Sequence, residues 1–214
     1  MTYLELVNDV LVRLREAEVQ TIDQSSYSKL ISKFINDGKR QVEDAFNWNV
    51  FRNTITFNTV GGTSQYTLTG SGIRFKVIDV YNDTSDYALD LANTSYMNEL
   101  FLTQSYQAAP QYYNFNGVDS NNDTKVDLFP VPDGVYSIKF NITLPQTHLV
   151  NNADILLVPN EPVIFYAYAR ALAERGEDGG LGSSEAYQLY QQSLADHVSI
   201  ESARIAPDIT WIPN

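Results

Sequence analysis

A few short stretches of this chain carry side chains whose types and spacing could do chemistry. Asp119, Asn121, Asp123 and Asp127 place oxygens at positions 1, 3, 5 and 9 of a calcium-binding loop. The sixth position, which needs Gly for its sharp turn, is Thr124, and the twelfth, which needs a bidentate Glu, is Pro130. The stretch therefore reads as a polar β-turn ahead of a strand. Glu174, Glu177 and Asp178 offer the paired carboxylates that glycoside cleavage uses, one as acid and one as base across the bond. They fall on a helix end and a glycine-rich turn, which reads as simple exposure. Acids at a helix C-terminus oppose its dipole. Glu177 and Asp178 are thus better candidates for meeting an Arg or Lys of a partner. Gly179–Gly182 ahead of a helix has the outline of an anion cradle, yet it lacks the lysine and follows two acids.

The rest of the catalytic toolkit is thin. There are two histidines, His148 in a loop and His197 on a helix face, which gives a Ser-His-Asp triad little to build on. Zero cysteines exclude disulfides, Cys-ligated zinc and thiol catalysis. The Asn-X-Thr/Ser triplets at Asn82, Asn93, Asn122 and Asn141 reflect Asn/Thr richness in a chain whose first twenty residues hold no apolar signal stretch. With no nucleophile–base pair, metal cluster or phosphate loop, the reading is a non-enzymatic interaction protein without a cofactor.

The elements that would position these residues are helical at both ends. Tyr3, Leu6, Val7, Val10, Leu11 and Leu14 recur with the helical period, and Thr2 with Glu5 forms the pattern of a capping box. A second helix is expected from about Ser25 to Trp48, after a turn at Thr21–Gln24. Gly38 in its middle implies a bend or a close helix crossing. A third begins at Glu161-Pro162 with Asn160 as cap, and runs to the glycine-rich turn 176–182. Ser183 or Ser184 caps the last helix, which ends before Pro207. The tail 207–214 carries Ile209, Trp211 and Ile212, apolar side chains suited to packing on the same domain or on a neighbouring subunit.

Between them lie strands. Thr54–Val60 alternates, Gly61-Gly62 turns, and Ser64–Leu68 is expected to pair back as a hairpin. Phe75–Tyr81, Lys125–Phe129 and Val135–Leu144 read likewise, the last two joined by a turn at Pro132-Asp133-Gly134. Ser95–Thr103 reads as a short helix. The fold class is α+β: a discontinuous helical bundle (1–49 and 159–206) with an antiparallel β-sheet or barrel-like insertion (50–158) and a C-terminal arm (207–214).

Net charge is −12 over 214 residues. It is uneven: residues 1–52 carry 7 basic and 8 acidic side chains, 53–158 carry 4 and 10, and 159–214 carry 3 and 8. No Lys/Arg cluster exists to grip phosphates, and the like charge suits a surface that DNA passes without being held. The longest apolar run, Val163–Ala169, is far below the roughly 20 residues of a membrane span. A soluble chain without membrane contact is expected.

Three passages resemble tailed-bacteriophage head-to-tail adaptors, the neck proteins of the tail tubular protein A kind in short-tailed phages. They are Met1–Asn8, Arg40–Trp48 and Tyr168–Gly180. The resemblance covers nearly the whole chain and lies in layout and phrase, with no catalytic motif to carry over. It implies a homo-oligomeric ring, usually of twelve copies, seated between the portal protein and the tail nozzle protein. DNA would pass through its lumen without specific binding. It also implies a virion location in the neck or tail after assembly in the bacterial cytoplasm. On that reading Ile209, Trp211 and Ile212 form an arm toward the portal. The alternatives are a cell-wall-degrading hydrolase using Glu174, Glu177 or Asp178, and a carbohydrate-binding β module built on Gln111–Asn116.

Overall fold

The computed structural model describes residues 1–104, 106–176 and 180–204. The chain forms two compact units, Met1–Val50 with Gln146–Asn214, and Phe51–Pro145.

In the first unit, helix α1 (Tyr3–Arg13) starts at the capping box: the Glu5 N–H donates to Thr2 Oγ1 at 3.3 Å and the Thr2 N–H to Glu5 Oε2 at 2.8 Å. These bonds satisfy end donors that the helix itself leaves open. Helix α2 (Ser26–Ala45) is capped by Ser25. It stops at Phe46, in extended backbone, short of the expected Trp48. Trp48 instead folds back and donates its indole N–H to the Val42 carbonyl at 2.7 Å. The bond satisfies a carbonyl from the last helical turn.

Helix α4 (Asn160–Arg175) begins one residue earlier than expected, behind Pro159. Asn160 therefore lies inside the helix and makes no side-chain cap bond. The helix ends on Gly176, whose φ of 65° is the left-handed conformation that glycine adopts without Cβ strain. Helix α5 (Leu181–Ser202) follows Gly180, also left-handed at φ 93°. That glycine is the N-cap of the helix. The helix consequently starts ahead of the expected serine caps, and the Ser183 hydroxyl donates back to the Gly180 carbonyl at 2.9 Å.

Helices from both chain ends share one core. Leu6, Val10, Ile31, Ile35, Val42, Val163 and Ala167 are all fully buried, and α4 packs against α1, α2 and α5. The returning segment also pins the N-terminus. The Tyr3 and Leu4 N–H groups donate to the carbonyls of Asp154 and Asn152, and the Leu156 N–H to that of Met1.

The second unit holds β1 (Arg52–Asn58), β2 (Gln65–Thr67), β3 (Lys76–Asn82), β4 (Tyr87–Ala88), β5 (Asp90–Leu91), α3 (Thr94–Thr103), β6 (Tyr112–Val118), β7 (Thr124–Phe129) and β8 (Ser137–Thr143). Its described strands make two four-stranded sheets, ordered β1-β8-β3-β4 and β2-β7-β6-β5. The two ladders are separate sheets, and no closed barrel forms among the described strands. β1 pairs with β8 along its whole length, Arg52 opposite Thr143 and Asn58 opposite Ser137. β2 crosses to the other sheet and pairs with β7 rather than folding back on β1. There, Leu68 is buried and Tyr66 stacks on Phe57 with ring centroids 4.9 Å apart. β7 and β8 likewise part company after Pro132-Asp133-Gly134, and β5 pairs with β6 in parallel. Crossing pays in apolar burial: Val126 and Leu128 of one sheet and Ile138, Phe140 and Ile142 of the other enter a single core.

Candidate partner-binding surfaces

The stretches with chemical potential turn out to be structural where they are described. Asp119 and Asp123 form the turn between β6 and β7. Asp119 Oδ1 accepts the N–H groups of Asn121 and Asp123 at 2.8 and 2.9 Å. Asp123 reaches across to accept the N–H of Gly70 and of Gly72, both at 3.0 Å. Those donors hold its carboxyl below the ordinary aspartate range, Gly70 first and Gly72 second. Asp127 accepts from Gln65 Nε2 at 3.0 Å and Asn116 Nδ2 at 2.6 Å. The carboxylates of the would-be calcium loop are thus engaged in fixing strands, and Asn122 supplies the turn with its positive φ of 63°. No group of three His, Asp or Glu among the described residues could hold a metal ion.

His148 is exposed in its loop. His197 lies on α5 with Nδ1 2.8 Å from the Ser193 carbonyl. Glu174 is exposed near the end of α4. Glu177, Asp178, Ile209, Trp211 and Ile212, the residues singled out as partner contacts, lie outside the described residues. So does Gly179, the first residue of the cradle-like stretch, whose other three residues cap and open α5.

Beside Glu174, Arg175 makes a polar cluster of the helical unit. Its Nε donates to the Tyr27 hydroxyl at 2.8 Å and Nη1 to the Leu14 carbonyl at 3.3 Å. Nη2 pairs with Glu16, and the guanidinium sits 5.0 Å over the Tyr27 ring. One planar fork thereby ties the end of α4 to the end of α1 and the start of α2.

Two of the openings in this unit are bordered by described residues. A cleft of about 630 Å³ runs between α2 and α5 over α4, bordered by Gln41, Tyr166, Arg170, Tyr187, Gln188 and Gln191. Among the described residues on its walls the charged one is Arg170, which stacks 5.6 Å over Phe34. A groove of about 600 Å³ lies where α5 ends, with Trp48, Leu157, His197, Ile200 and Arg204 on its walls. Glu201, also there, accepts the Asn49 N–H at 2.9 Å on one oxygen and meets Arg204 at 3.2 Å with the other. These carboxylate contacts brace the helix end.

The remaining feature is α5 itself. It packs on α4 with Ala186, Tyr190 and Ser193, yet Leu181 is 80 %, Leu189 43 % and Ile200 59 % exposed. An amphipathic surface helix ordinarily presents charge on its outer face. This one presents a mixed apolar and acidic flank with no Lys or Arg along its length. No sequence signal short of the helix boundary itself reveals which flank is left open.

No helix among the described residues is long and apolar enough to cross a membrane. No curated protein matches the chain. The family model of the SU10 adaptor protein matches residues 1–209, running through both units. The chain belongs to the SU10 adaptor protein family, the phage head-to-tail adaptors.

Proposed function

We propose that the chain is the ring-forming connector between portal and tail nozzle, a structural virion protein through whose lumen DNA passes without specific binding. The carrying observation is the family match over residues 1–209. The exposed apolar flank of α5 supports it, because heterologous contacts repeated around an axis close a ring. The net charge of −12 supports a lumen that repels the passing phosphates. We place the contact with the portal on the arm 207–214, through Ile209, Trp211 and Ile212, and a second partner contact at Glu177 and Asp178.

Light scattering of the purified chain, alone and with purified portal protein, tests this. A ring-sized mass bound to the portal is the expected result. A chain that stays monomeric and unbound overturns the connector. Deleting 207–214 is expected to abolish portal binding and leave the fold intact; unchanged binding rejects the arm.

A further inference from the structure

The joint between copies can be placed more closely, on the premise that the ring reading holds. On α5, Leu181, Glu185, Leu189, Gln192, Asp196 and Ile200 recur at three- and four-residue steps and form one exposed stripe. The stripe lies on the flank away from the cleft, which Tyr187, Gln188 and Gln191 border from the other side. On α2, Ser26, Lys29, Lys33, Asp37, Arg40 and Asp44 recur in the same way and are exposed. Gln41 turns toward the cleft. Lys29 and Arg40 lie about 100–120° round the helix from it. The two stripes therefore occupy opposite outer flanks of the layer that α2, α4 and α5 form. A rotational ring needs that arrangement, two different surfaces that meet head to tail.

Charge and spacing match across the pair. The α5 stripe carries Glu185 and Asp196 and no base, whereas the α2 stripe carries Lys29, Lys33 and Arg40 against Asp37 and Asp44, with Arg40 4.0 Å from Asp44, and so has a net positive balance. Glu185 and Asp196 are eleven residues apart, as are Lys29 and Arg40. Eleven residues are three helical turns, about 16 Å, so both members of each pair stay on one face at equal separation. Leu181, Leu189 and Ile200 can then lie on the aliphatic stems of the basic side chains. We infer that the α5 stripe of one copy docks on the α2 stripe of the next copy, with Glu185 and Asp196 set against Lys29 and Arg40.

The chain has no native cysteine, so an introduced pair reports this contact alone. Lys33→Cys with Leu189→Cys suits parallel docking, and Lys33→Cys with Gln192→Cys suits antiparallel docking. Rings assembled on purified portal protein and then oxidised should give a ladder of covalent multimers from one of the two pairs. Charge reversal is the second arm. Lys29→Glu/Arg40→Glu and Glu185→Lys/Asp196→Lys should each weaken assembly at least about tenfold while keeping the wild-type melting temperature. An equimolar mixture of the two should assemble again, since alternating copies restore opposite charges at every joint. Wild-type rings without a ladder from either pair, together with unaffected reversal variants, overturn the joint and leave the ring standing. A wild-type chain that forms no ring on the portal overturns the ring reading itself.

Discussion

Gly38 lies against Tyr166: a methyl group at Gly38 would come within 2.9 Å of Tyr166 Cδ1 and 3.2 Å of the Val163 carbonyl oxygen. Glycine inside a helix ordinarily costs about 1 kcal/mol relative to alanine. Here it permits α2 and α4 to cross closely. Gly38→Ala should therefore destabilise, by about 1–3 kcal/mol from overpacking, against the sign that propensity gives. Gly134→Ala, where an added methyl meets nothing within 4 Å, should leave the midpoint nearly unchanged. Denaturant melts of both variants check the contrast, and a stabilised Gly38→Ala would refute the close crossing.

Lys39 and Glu43 form an ion pair at 2.8 Å with side chains 2 % and 0 % exposed. Lys39 Nζ also donates to the Gln146 carbonyl at 2.7 Å. Removing one charge from such a pair strands the other in the interior. Lys39→Met alone should cost about 3–5 kcal/mol, and Lys39→Met with Glu43→Leu much less. A double-mutant cycle measures the coupling; additive losses would mean that the pair is not buried as described.

Arg175 binds through its shape as well as its charge. Lysine keeps the charge but cannot donate to Tyr27, Leu14 and Glu16 together while lying flat on the Tyr27 ring. Arg175→Lys should cost about 1–2 kcal/mol, with little relief from added salt. Full stability in the lysine variant would assign the cluster to charge alone.

Local features of the fold were legible, and long-range pairings were not. The Thr2–Glu5 capping box and the left-handed Gly176 are decided within a few residues, so the sequence displays them. Gly38 announced a bend or a crossing, but that Tyr166 supplies the crossing depends on a helix more than a hundred residues away. β2 was legible as a strand, whereas its partner was decided by which sheet could bury Leu68. Lys39 and Glu43 show the spacing of an exposed helical pair. Their burial depends on a distant segment reaching Lys39 at Gln146. The same holds for Asn36, which bonds the Leu149 backbone through both its amide nitrogen and its oxygen. The calcium-like spacing of Asp119 and Asp123 was real as a pattern. Its purpose was hidden because Gly70 and Gly72, which consume the Asp123 oxygens, lie some fifty residues earlier.

The Asp123 clamp makes an acid-limb prediction. Its carboxyl is held below the ordinary aspartate value by the Gly70 and Gly72 N–H groups, whereas in the unfolded chain it titrates near the usual value of about 4. A depressed folded value means that the stabilisation is fully present above that pH and is lost as pH falls through the folded value. Asp123→Asn keeps one acceptor and turns an amide N–H₂ toward the other donor. The variant should be less stable than wild type at pH 7, and the difference should shrink as pH falls below about 4. Asp154, held down by the Asn151 and Val150 N–H groups, should behave alike in the other unit. Urea melts at a series of pH values measure both. A wild-type-to-variant gap that stays constant through the acid range would show that the donors do not discriminate between carboxylate and acid, and the clamp would then be geometric only.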